Sequence, residues 1–214
     1  MSAERDHEGR GEEMTEPKGE VRPIFPLGAV VRYVNPEHED IALDGLEFAP
    51  NFGSRTESTS QDLNILKEPR FAKLRGFLEE CVKDYLDHVF CYKYEKFEIV
   101  HAWVNRAPEG GFQRMHTHGN SVVSGVYYLK ADPKLSSPLV FEKPEISTFP
   151  YIAVATTQHT IFTANQAAFP SETGTAYLFP SQLSHGYEIP SRSGERISLA
   201  FNVMLTGIGL FYRL

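Results

Sequence analysis

Two histidine-bearing stretches hold the side chains with chemistry to offer. In the first, Gln113-Arg114-Met115-His116-Thr117-His118-Gly119-Asn120-Ser121 leads into the apolar run Val122 to Leu129. Side chains at i and i+2 of an extended segment share a face, so His116 and His118 form a chelating pair if the segment is a strand. Neutral imidazole is the commonest protein ligand for zinc, iron, copper and nickel, and a reactive site needs a third group converging on the metal with one coordination position open. In the second stretch, Gly174 to His185, a strand over Ala176 to Pro180 is followed by a short turn and His185, a way of carrying a side chain back over the mouth of a barrel. Further on, Arg196 and Ser198 share one face of the strand candidate Arg196 to Met204. A guanidinium gives a carboxylate two parallel hydrogen bonds and a hydroxyl adds another, so this pair suits an anion. An arginine in an otherwise apolar strand also implies a buried anionic partner, because an unpaired buried charge is costly.

These residues must be positioned by the elements around them. Residues 1–21 carry almost no large apolar side chains and are expected to be a disordered tail, with one domain over 22–214. Within it, Ile24 to Val34 suggests one or two short strands broken by Pro26 and Gly28, and Asn35 to Glu68 a long loop with a short helical turn. Phe71, Leu74, Phe77, Leu78, Cys81, Val82, Tyr85, Leu86 and Val89 recur at helical spacing and predict a helix over 70–90 opened by Pro69. Cys81 is then a packing residue. Strands dominate after it, over 97–206: Phe97 to Asn105, the histidine segment, Val122 to Leu129, Leu139 to Phe141, Thr160 to Phe162, Ala176 to Pro180 and Arg196 to Met204. Short strands separated by turn signals predict a mainly β fold, a double-sheet jelly roll with the helix packed outside.

Composition narrows the function classes. The formal charge of −7 argues against a nucleic-acid or anionic-membrane binder. Two cysteines, Cys81 and Cys91, make no disulfide framework and no CxxC pair, and the N-terminus has no apolar signal-peptide core, so a cytoplasmic protein is expected. His7, His38, His88, His101 and His159 are read as structural histidines, Trp103 and Phe201 as core, and Glu142 and Glu145 as solvated.

The segment QRMHTHGNSVVSGVYY (Gln113 to Tyr128), with Trp103 and Asn105 before it and LFPSQLSH and RISLAFNV after it, resembles the Fe(II)/2-oxoglutarate-dependent oxygenases with a double-stranded β-helix core. The resemblance is good over about Ile99 to Met204. It implies that His116 and His185 ligate Fe(II), that Arg196 with Ser198 holds the distal carboxylate of 2-oxoglutarate, and that O2 completes the site. The reaction implied is oxidative decarboxylation of 2-oxoglutarate coupled to hydroxylation of a substrate. Where this family usually has an acid, in H-x-D or H-x-E, the chain has His118. His118 is then a third ligand, or supports the ligands from behind, or the carboxylate comes from the substrate or a distant residue; the i, i+2 spacing favours the three-histidine site. Tyr127, or else its neighbour Tyr128, is expected to donate a hydrogen bond to the co-substrate. Arg114, which strict alternation puts on the face of His116, and Asn120 are expected to border the substrate opening.

Two other functions compete. A cupin-type three-histidine metalloprotein, a dioxygenase or isomerase without 2-oxoglutarate, fits Gly174 to His185 and the HxH pair, but lacks the glutamate such sites place shortly after the second histidine. A metal-free binding module with a degenerate site is the third. The substrate is a small molecule or a residue on a protein, and a homodimer is the working assembly. Asn35 to Glu68 and Lys143 to Gln158 are long enough to serve as lids.

Overall fold

Alternation with a period of two gives the central strands different outer and inner faces, and the fold uses both. The computed structural model describes residues 28–51, 54, 56–144, 157–158, 160–188, 190–192 and 194–207. The expected tail, the beginning of the Ile24 to Val34 stretch and most of the Lys143 to Gln158 loop lie outside the described residues. In chain order come β1 (Val31–Val34), β2 (Phe48–Pro50), β3 (Ser58–Ser60), 3-10 turns at Ile65–Lys67 and Pro69–Phe71, and α1 (Ala72–Asp84) with a π-helical turn at Tyr85–Val89. The rest is sheet: β4 (Lys96–Ala107), β5 (Gln113–His116), β6 (Val123–Lys130), β7 (Leu139–Glu142), β8 (Gln166–Phe169), β9 (Thr175–Pro180), β10 (His185–Tyr187) and β11 (Arg196–Thr206).

The strands form a seven-stranded sheet of order β1-β9-β6-β11-β4-β3-β2 and a four-stranded sheet of order β5-β10-β7-β8. All pairings between these strands are antiparallel. From β4 to β11 the chain passes back and forth between the sheets, which is the double-stranded β-helix.

The outer face of the large sheet is apolar. Leu199, Phe201 and Val203 of β11, Ala102 and Val104 of β4, and Tyr127 and Leu129 of β6 pack there against Leu74, Leu78, Cys81, Val82, Tyr85 and Leu86 of the helix. Each large apolar side chain buried this way is worth about 1.5–3 kcal/mol. The Tyr85 hydroxyl donates to the Ala29 carbonyl at 2.6 Å, tying the helix end to the chain before β1. Burial pushes the Cys81 thiol up to about 12, consistent with a packing role. The inner face faces the small sheet, where Val126, Tyr128, Tyr177 and Phe179 meet Leu139 and Phe141.

Two segments differ from the sequence expectation. Residues 35–68 are not only loop: β2 and β3 form a hairpin that extends the large sheet beyond β4. Thr160-Ile161-Phe162 is a turn and not a strand, because the Thr163 N–H and the Ala164 N–H both donate to the Thr160 carbonyl, at 3.1 and 2.8 Å. The threonine side chains there compete for backbone groups that a strand would pair across. Among the described residues, no helix is long and apolar enough to cross a membrane.

Candidate active site

The site is built where β10 meets β5. His185 lies opposite His116, but Tyr187 lies opposite Gln113, so two steps along β10 are matched by three along β5. The extra residue is a β-bulge. It reverses the alternation, so that Gln113 and His116 both face the cavity between the sheets while Arg114 is exposed and does not line it. The shared face expected for Arg114 and His116 is thereby corrected. Gly186 lets the strands close at the bulge: a Cβ there would sit 2.8 Å from the Gln113 carbonyl oxygen and 2.9 Å from that of Arg114.

His116, His118 and His185 come together with one ring nitrogen from each within 4.8 Å of the others. Ring centroids are 4.5 Å apart for His116 and His185, 5.0 Å for His116 and His118, and 5.1 Å for His118 and His185. Nδ1 of His116 donates to the Arg114 carbonyl at 2.9 Å and Nδ1 of His185 to the Leu183 carbonyl at 2.7 Å. Each proton is thus fixed on Nδ1, leaving the Nε2 lone pair for a ligand. His118 is placed through its backbone N–H, which donates to the Ser181 carbonyl at 3.0 Å. Side-chain bonds brace that turn: Ser121 donates to Ser181 at 2.9 Å and Ser124 to Asn202 at 2.8 Å. Asn120 does not line the cavity; at φ 58° it takes the left-handed turn conformation that asparagine tolerates.

Burial, then the neighbouring His116, holds the His118 imidazole down to about 4, and the same two causes hold His185 at about 3. Both rings are neutral near pH 7, the form that binds metal. One face of this cluster could hold a single metal ion.

The same cavity, of about 470 Å³, reaches Arg196 and Ser198 on β11. Arg196 is buried. Its Nε donates to the Ser171 hydroxyl and its Nη2 to the Tyr128 hydroxyl, both at 3.3 Å, and its guanidinium lies 4.1 Å from the ring centre of Tyr187 and 4.9 Å from that of Tyr128. Burial opposes the charge, but Tyr128, Tyr187 and Glu57 outweigh it and raise the pKa of Arg196. Tyr128, not Tyr127, therefore belongs to this end. Tyr127 points to the outer face, where its hydroxyl accepts from Asn35 Nδ2 at 3.2 Å and meets His38 Nδ1 at 2.6 Å.

Other residues enter that the sequence reading took as structural or core, or gave no role. His101, Trp103 and Asn105 sit at alternate positions of β4 and line the cavity, the Trp103 ring 6.0 Å from that of His118. Tyr187, two residues after His185, could have been found by the same alternation. Glu57, buried before β3, also lines the cavity and carries no sequence signal, because its place depends on the hairpin edge.

A double-stranded β-helix with three convergent imidazoles at one end of a cavity and a buried arginine at the other defines a barrel suited to a metal and a dicarboxylate. Residues 101–202, which contain both ends, match the family described as "Putative 2OG-Fe(II) oxygenase". The match takes in just under half of the chain and is to the Fe(II)/2-oxoglutarate-dependent oxygenases, a family of enzymes that use iron and 2-oxoglutarate. Among solved structures, the fold is similar to HygX from Streptomyces hygroscopicus with nickel, 2-oxoglutarate and hygromycin B bound, at 14% identity, covering 84% of this chain and 83% of that one, TM-score 0.53. It is also similar to a Pseudomonas putida prolyl-4-hydroxylase, at 17% identity, covering 73% and 77%, TM-score 0.50. No curated protein sequence matches the chain. The cupin-type alternative is not favoured.

Proposed function

We propose that His116, His118 and His185 bind Fe(II) as three neutral ligands and that Arg196, with Tyr128 and Ser198, takes the distal carboxylate of 2-oxoglutarate. The observation that carries this reading is the convergence of three imidazoles, two tethered through Nδ1, on the cavity that ends at Arg196. With iron and 2-oxoglutarate bound, O2 oxidises a substrate C–H group while the co-substrate loses CO2 and becomes succinate. Three neutral ligands leave the metal's charge to be balanced by anionic ligands, which favours a dianionic co-substrate. The substrate lies against His101, Trp103 and Asn105 near His118. It is a small molecule or a residue of a peptide, in keeping with a fold shared with a prolyl-4-hydroxylase and with a protein crystallised with hygromycin B.

The test is calorimetric titration of 2-oxoglutarate into anaerobic, Fe(II)-loaded protein, alongside His118→Ala and Arg196→Ala. Saturable binding that is lost in Arg196→Ala is expected. In His118→Ala metal affinity should fall by more than the ~10–100-fold typical of losing a supporting group. Undiminished metal binding in His118→Ala would remove His118 from the ligand set, and metal binding without 2-oxoglutarate heat would refute the co-substrate assignment.

A further inference from the structure

Glu57 has no part in the reading above, yet it is 3% exposed and lines the same cavity. It lies one residue before β3, whose register sets Ser58 opposite Arg106. Extending that register puts Glu57 opposite Ala107, which pairs with Arg196. Arg196, Ala107 and Glu57 thus form a row across β11, β4 and β3, with the charged residues two strand spacings, roughly 10 Å, apart along the backbone.

Tyr187 fills the space between them. Its ring stacks on the Arg196 guanidinium and its hydroxyl donates to Glu57 Oε1. Asn51 Nδ2 donates to Glu57 Oε2 at 2.8 Å and to Gln113 Oε1 at 3.1 Å. Both carboxylate oxygens are therefore engaged from within the protein, which leaves Glu57 poorly placed to take a cationic substrate. Among the described residues no carboxylate forms a direct ion pair with Arg196, which meets the Ser171 and Tyr128 hydroxyls and the Tyr128 and Tyr187 rings. A buried guanidinium needs a compensating anion. In the free site Glu57 supplies that compensation from one tyrosine ring away.

We infer that Glu57 is the internal counter-charge of Arg196 and sets co-substrate affinity: a dicarboxylate arriving on Arg196 takes over the balance, and Glu57 takes up a proton as the ligand binds. This rests on the reading of Arg196 as the carboxylate anchor. Two buried anions sharing one cation do not both stay ionised readily. Burial already pushes the Glu57 carboxyl up, with Tyr187, Arg196 and Asn51 pulling it down. The groups facing it are Asn51 from its own hairpin, Tyr187 from β10 and Arg196 from β11, and none of these is a second acid. The proton comes from solvent and has a partner waiting, since a protonated Oε1 donates back to the Tyr187 oxygen and reverses that hydrogen bond.

The test is titration of 2-oxoglutarate into anaerobic, Fe(II)-loaded protein in two buffers of different ionisation enthalpy, on both sides of neutrality, which counts protons directly. The wild type is expected to take up a proton on binding, with affinity falling by up to about tenfold per pH unit as pH rises through the Glu57 titration. Glu57→Gln should bind at least as tightly, with proton uptake abolished. Tyr187→Phe keeps the ring on Arg196 and removes only the donor to Glu57. It raises the free-state pKa, so the pH at which affinity begins to fall should move upward. No proton uptake by the wild type, or weaker binding by Glu57→Gln with the proton count unchanged, would overturn the inference and reduce Glu57 to a strut. Absence of any 2-oxoglutarate heat would instead overturn the anchor itself, and this inference with it.

Discussion

Strand alternation sends two adjacent tyrosines of β6 to opposite fates. Tyr127 joins the helix-covered face and Tyr128 the inner face, against Arg196. The pair Tyr127-Tyr128 was legible as important, but which of them faces inward depends on the register of β6 against β11, where Tyr128 lies opposite Ser198 and Tyr127 opposite Leu199. Tyr128→Phe keeps the ring under the guanidinium and removes the oxygen that accepts from Nη2 at 3.3 Å. A hydrogen bond to a charged group is worth about 1.5–3 kcal/mol, and this long one belongs at the lower end. We expect 2-oxoglutarate to bind roughly tenfold more weakly, with metal affinity unchanged. Tyr127→Phe should leave both affinities alone and cost ~1 kcal/mol of stability, because Asn35 and His38 lose their shared partner. Calorimetry and thermal melts on the two variants separate these outcomes; weakened co-substrate binding in Tyr127→Phe would contradict the assignment.

At the level of elements, the strands of the site were legible because period-two patterning and turn signals are local. The histidine pair, the histidine after Phe-Pro and the Arg-x-Ser strand all line one cavity. The bulge in β5 was not legible, because nothing in Gln113 to His116 announces an unpaired residue; it arises from fitting β5 against Gly186. The hairpin that places Glu57 was hidden for a similar reason, since β2 and β3 are three residues each, too short to carry a hydrophobic pattern, and are held by pairing, β2 with β3 and β3 with β4. Gly186 therefore carries a specific prediction. An alanine there meets backbone oxygen on β5, which has no flexible side chain to yield, so the strands must separate. Gly186→Ala should cost about 1–3 kcal/mol, the usual penalty of overpacking. It should also weaken metal binding, because His116 and His185 face each other across that pairing. A melt and a metal titration check both; a variant that is destabilised but binds metal normally would show that the bulge does not set the ligand geometry.

Across the whole molecule the two sheets are unequally supported. The large sheet is backed by α1 and a continuous apolar cluster, with β4 and β11 running 12 and 11 residues. The small sheet has strands of three or four residues, and all three histidines belong to it or to the turn that leaves its edge strand β5. A bound metal would cross-link β5, the following turn and β10, the part with least support of its own. Ligand that binds only the folded state adds stability as RT ln(1 + [L]/Kd), about 2.7 kcal/mol at a hundredfold excess over Kd. Adding Fe(II) anaerobically should raise the melting temperature accordingly, and His185→Ala should abolish the rise. Hydrogen exchange should report where the gain falls: new protection in β5 and β10, with α1 little changed, since local openings of the small sheet are the ones the metal suppresses. Protection gained equally in α1 would mean that metal acts on global unfolding alone, and that the small sheet is as firmly held without it as the sheet the helix covers.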